Sequence, residues 1–386
     1  MQLGFIHSDS DEFRKVSQLW KTLTEEGAID ELGIGRIRDY YSDSLFPGTS
    51  TLWKHTKYFS LLPQLYMHAT QKTYNSKIEV KKYLIDLERK MTECLINGTP
   101  EDKRNGITGS DSVKNKTKFV KYDPTYIYYA GMRKYGILHT EDVEGVIFEY
   151  SNKIHSAPDT FKSQGDEDIC ESVDKGNMYQ FCSCPTGDID AFDKPCSLEL
   201  KKDEAEFIQT QVSTCLDVKG TLLHYLVTEL PEMDNDIHDF DIESLPSTLK
   251  PTFHDARIFS KFIYGPHLFY NYVLSKGTDD KIYGSYSNWL TEWKECGISI
   301  KSILDKVKIS ETSSIDFCVD FETHLDDEQY LFSLVTKREK RVKGSRYKID
   351  KEVYDPKRPY HNYHLSFRWN IVKMMVDEIR EGLKNG

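Results

Sequence analysis

The chain has 386 residues, a net charge of −11 and a pI near 5.6; 38% of its residues are hydrophobic and 29% charged, with 24 Tyr and 19 Phe. This is the composition of a folded protein large enough for two or three cores, and its acidity excludes a broad electrostatic grip on polyanions. No stretch reaches the roughly 20 apolar residues that span a bilayer. The start, MQLGFIHSDSDEF, lacks the basic segment and apolar run of a signal peptide. The expected compartment is therefore the cytoplasm, with the eight cysteines reduced and no membrane contact.

The periodicity predicts helices in series. DSDEFRKVSQLWKTLTEEG puts Phe13, Val16, Leu19, Trp20 and Leu23 on one face, and ELGIGRIRDYYSDSLF spaces Ile34, Ile37, Tyr41 and Leu45 likewise. FPGTST is a turn, and the apolar TSTLWKHTKYFSLLPQLYMHA a helix kinked at Pro63. An amphipathic helix covers about 78–96, followed by a polar, basic loop at 98–121. Pro124 opens the helix DPTYIYYAGMRKYGI, and Thr140 caps the helix TEDVEGVIFEYSNKI. Residues 156–195 are rich in Asp, Gly, Ser and Pro and read as a linker.

Beyond it, KKDEAEFIQTQVSTCL and GTLLHYLVTEL form a helix pair, and DARIFSKFIYGPHLFYNYVLSKG is a long helix broken at Gly265-Pro266. Shorter helices follow over 283–308 and 312–343, the latter ending in a basic run. A terminal helix places Leu365, Trp369, Val372, Val376, Ile379 and Leu383 in register. The expected fold is mainly α, as two helical lobes (1–155 and 196–386) with few or short strands.

The chain contains no phosphate loop GxxxxGK[ST], no HExxH helix and no GxSxG elbow. His55 and Lys57 begin a phosphodiesterase-like HxK pattern, but Leu62 stands where its Asp belongs. Cys182-Ser-Cys184, flanked by Cys170 and Cys196, could offer four thiolates to zinc, although structural zinc knuckles use two to four intervening residues rather than one. Asp190 or Asp193 followed by Glu199 and Lys201 resembles the two-part core of a Mg²⁺-dependent PD-(D/E)xK nuclease. Neither reading is preferred, because KKDEAEF also reads as a helix start; no catalytic residue, metal or cofactor is assigned. KREKRVKGSRYK supplies Lys337, Arg338, Lys340, Arg341, Lys343, Arg346 and Lys348, opposed only by Glu339. Such a run is a phosphate-facing surface or a solvated helix end.

The blocks LGFI, DELGIGRIRDYYSDSLFPGTSTLWKHTKYF, YDPTYIYYAGMRKYGIL, DARIFSKFIYGPHLFYNYVL and TKREKRVKGSRYK with LSFRW resemble, in this order, the signature of a bacterial family of unknown function. The resemblance implies an origin in antiphage defence islands, near helicase-type genes. Within these blocks Arg36, Arg38, Lys54, Lys57, Arg257, His267, Asn271, Arg338, Lys343, Arg346 and Arg368 lie among apolar residues, as a buried ion-pair network or a groove for phosphate or a partner chain. The expected function is a non-catalytic accessory subunit that binds a helicase-like protein, and DNA through Lys340, Arg341 and the cations around them. A PD-(D/E)xK-like nuclease and a purely structural scaffold are the alternatives.

Overall fold

The computed structural model describes residues 30–156, 181–185 and 192–385. The expected helix in the first 29 residues, Cys170, Asp190 and most of the linker-like stretch lie outside the described residues. Fourteen α-helices and no strand occur among those described, so the protein is mainly α. In chain order they are α1 Gly35–Leu45, α2 Tyr58–Ala69, α3 Lys77–Gly98, α4 Ser110–Lys114, α5 Pro124–Lys134, α6 Val143–Ser156 and α7 Lys202–Thr214. Next come α8 Leu222–Glu229, α9 Lys250–Leu274, α10 Asp280–Cys296, α11 Ile300–Leu304, α12 Ser313–Thr323, α13 Glu328–Lys343 and α14 Trp369–Lys384.

The helix starts follow local chemistry. Asp123 accepts from the Tyr126 amide ahead of Pro124, which has no N–H to waste in the first turn. Thr221 caps α8 and Asp327 caps α13 in the same way. Other expectations are corrected. The α6 cap is Asp142, which accepts from Gly145 N at 2.9 Å, while Thr140 only supports the Asp142 amide. The 98–121 segment is not all loop, since it contains a 3₁₀ turn at Glu101–Lys103 and the short α4. TSTLWKH stays outside α2, and Leu365 is buried ahead of α14 rather than within it.

The expected break at Gly265-Pro266 does not occur; α9 runs through it. A Cβ on Gly265 would lie 2.2 Å from the Trp289 indole, so glycine lets α10 press its tryptophan onto the α9 backbone. That indole donates to the Lys261 carbonyl at 2.8 Å, one residue before the carbonyl that Pro266 leaves without its helical donor. Packing there outweighs a local helix breaker.

The described residues divide into two compact units, each assembled from separate stretches of chain. One comprises 30–41 and 251–367, with a core of Phe262, Phe269, Trp289, Trp293 and Phe321. The other comprises the described residues of 42–250 together with 368–385. In this second unit Trp53 stacks on Tyr128 (5.7 Å between centres) and meets Phe59 edge-on. Gly131 makes that possible, since a Cβ there would lie 2.4 Å from the Trp53 ring.

Candidate functional site

In the first unit, α13 sorts the basic run into two sets. Arg338 turns inward and is 6% exposed; its Nε donates to the Leu32 carbonyl at 2.7 Å, and its other nitrogens donate to the Gly33 and Ser313 carbonyls. No carboxylate faces it in these bonds; the guanidinium caps backbone oxygens and lies over the Phe317 ring. Lys343 and Lys348 share the buried carboxylate of Glu31, each at 3.3 Å, and His361 reaches the same group at 2.5 Å. The neighbouring imidazole and ammonium groups hold the Glu31 carboxyl far below the usual carboxylate range, against the opposing effect of burial.

Glu339, the lone acid of the run, is fully buried. It accepts from Tyr270 Oη and from the amides of Lys348 and Ile349, which fixes the turn after α13. Lys337, Lys340 and Arg341, at i, i+3 and i+4 spacing, occupy the exposed face of α13, with Arg346 exposed just beyond. Between 337 and 358 the chain has ten Lys or Arg against four Asp or Glu, inside a protein of charge −11.

The remaining first-unit candidates are internal or locally paired. His267 is fully buried, and burial lowers its pKa to about 3. Neither of its ring nitrogens has a hydrogen-bond partner, and its ring stacks on His361 at 4.9 Å. Asn271 accepts from Tyr360 N at 2.7 Å and donates to the Tyr360 carbonyl, so it holds the 360 loop against α9. Arg36 donates to Ser310, Arg38 pairs with Asp39, and Arg257 lies over the Phe253 ring.

In the second unit, His55 and Lys57 form a double clasp that the HxK spacing did not reveal. Lys57 is 2% exposed and pairs with Glu204, which also accepts from Ser60 Oγ and from the Lys201 amide at the start of α7. Two residues earlier, His55 Nδ1 meets Glu378 on α14 at 2.9 Å, and Nε2 meets the Asn105 carbonyl at 2.7 Å. Both ring nitrogens therefore face acceptors, and only the doubly protonated imidazolium satisfies both. Burial disfavours that charge, but the bonds to Glu378 and Asn105 outweigh it and raise the His55 pKa. Arg368 pairs with Asp43 at 2.7 Å and donates to the Thr49 carbonyl.

The His55–Glu378 half of the clasp walls a cavity of about 700 Å³, within the size range of small-molecule sites. Lys54, Lys103 and Lys384 line it together with Glu199, Glu378 and Glu381. Lys103 pairs with Glu199 and His55 with Glu378, so the lining is close to electroneutral.

The nuclease-like residues are not arranged on a sheet. Glu199 and Lys201 lie on irregular backbone ahead of α7, whose first turn follows at once, and Asp193 follows Phe192, whose carbonyl takes the Cys94 thiol. Among the described residues no three His, Cys, Asp or Glu side chains are grouped to hold a metal ion, and Cys94, Cys182, Cys184 and Cys196 are free thiols.

The model of a family of unknown function (DUF6361) matches residues 1–283. The chain belongs to that family. The match covers α1 to α9 and ends inside α10, so α13 and α14 lie beyond it. No curated protein matches, and no solved structure matches.

Proposed function

We propose that this member of the family is a non-catalytic accessory subunit of a bacterial antiphage system, which binds a helicase-like partner and contacts DNA through α13. The observation that carries the DNA contact is the sorting on that helix. Arg338 and Lys343 are consumed by internal contacts, whereas Lys337, Lys340 and Arg341 share an exposed face. A net charge of −11 repels polyanions at long range, so binding has to come from such a local cluster. The antiphage setting and the helicase-like partner rest on the family resemblance.

The test is duplex binding across a salt series with the Lys337→Glu, Lys340→Glu, Arg341→Glu triple variant. The expected wild-type behaviour is weak, sequence-independent binding whose log affinity falls with log salt by about 0.9 for each phosphate neutralised. The triple variant should lose affinity for all sequences alike while keeping its thermal midpoint, because the three side chains are exposed. Unchanged DNA retention by the variant overturns the reading and favours a scaffold.

A further inference from the structure

Contacts lead from the exposed face of α13, by way of the buried carboxylate of Glu31, to an exposed aromatic ring. The Lys340 ammonium lies 5.0 Å from the centre of the Tyr347 ring and Lys351 lies 3.7 Å from the same ring. Lys343, one turn after Lys340, shares Glu31 with Lys348, whose ammonium lies 3.6 Å from the Tyr360 ring. His361 binds that same Glu31 and meets Tyr363 at 6.0 Å between ring centres.

Tyr363 is 59% exposed. Single exposed apolar residues are ordinary on protein surfaces, but this one is held in place. His361 supports it from one side, with the Tyr363 hydroxyl 3.3 Å from Nδ1. His361 is itself fixed by Glu31 and by the ring of His267 beneath it. With neither nitrogen of His267 bonded, that buried imidazole contributes its ring face to His361, and His361 in turn meets the exposed Tyr363 ring edge-on.

We propose that this surface takes single-stranded nucleic acid, with Tyr363 as a stacking platform for an unpaired base; the inference rests on the cationic reading of α13 above. A preorganised, exposed aromatic in the unit that carries the α13 cations fits a strand whose base faces are free, whereas duplex bases are already stacked on each other. The acids in the patch point the same way. Lys340 lies 3.5 Å from Asp350, and Tyr360 Oη donates to Glu352, so the path has gaps in its positive charge. A surface of that kind suits the lower charge density of a single strand better than the duplex, and relies on stacking for part of its affinity.

The experiment is fluorescence anisotropy at low salt with a short oligo(dT) and a hairpin duplex of equal nucleotide count, on the full chain. The expected result is a preference of about tenfold for the single strand, the gain from roughly one stacked base. Tyr363→Ala should remove that preference, Tyr363→Trp should retain it, and neither should alter duplex binding. Unchanged thermal midpoints for both variants show that the fold is intact. Equal binding of both probes, or single-strand binding indifferent to Tyr363→Ala, overturns the single-strand inference. If the Lys337, Lys340, Arg341 triple variant still weakens binding in that event, the cationic reading survives. Absence of binding to either probe overturns both.

Discussion

The Nε of Arg338 donates to the carbonyl oxygen of Leu32 at 2.7 Å, across 306 positions of chain. A guanidinium inside the densest basic run of the protein is thus part of a backbone clamp. Arg338→Ala should leave the Leu32, Gly33 and Ser313 carbonyls without these donors and cost about 3 kcal/mol in urea unfolding. Arg338→Lys should recover only part of this, because an ammonium cannot reproduce the planar fork. Lys337→Ala, one residue earlier on the exposed face, should change stability by less than about 0.5 kcal/mol. Equal losses at 337 and 338 would contradict the sorting of α13.

Lys57 and Glu204 make the second measurable case. Both side chains are nearly inaccessible, at 3% and 7% exposure. Lys57→Ala leaves a buried carboxylate without its cation and should cost about 3–5 kcal/mol. Replacing the pair together, as Lys57→Met with Glu204→Leu, should restore much of that loss, apart from the bonds that Glu204 makes to Ser60 and the Lys201 amide. A double-mutant cycle decides the matter. Strict additivity of the two losses would mean that the charges do not act as a pair.

His55 should make the stability depend on pH in one direction. Its folded pKa lies above the ordinary 6.5, so the folded state binds more protons than the unfolded chain over the interval between the two values. The stabilisation is complete below 6.5 and is lost as pH rises through the folded value. The destabilisation caused by His55→Ala should therefore be greater near pH 5.5 than near pH 9, as read from chemical unfolding at each pH. A difference that is flat, or that grows with pH, would contradict an imidazolium held between Glu378 and Asn105.

Much of the helical architecture can be read from residues close to one another in the sequence. Asp123 and Pro124 announce α5, and the spacing of Ile34, Ile37, Tyr41 and Leu45 announces α1, because caps and apolar faces are decided within a turn or two. The Gly265-Pro266 pair misleads for the converse reason. Its effect is set by Trp289 from α10, which no local rule contains. The candidate site obeys the same division. Density of cations in 337–348 is a local property and was legible, but which of them turn inward depends on Glu31 and on the Leu32 carbonyl, more than 300 positions away. The HxK spacing likewise identifies two polar side chains ahead of α2 without revealing that their partners are Glu378 and Glu204.

Each unit closes with a segment distant from the one that opens it, and this bears on the order in which the chain is made. The α7 helix meets α14 so tightly that a Cβ on Gly382 would lie 2.8 Å from that of Ala205, so the second unit has an apolar face to cover until α14 is delivered. Glu31 waits in the same way for Lys343, Lys348 and His361. A nascent chain therefore carries these faces exposed until α13 and α14 have been made, the regime in which chaperone capture competes with folding.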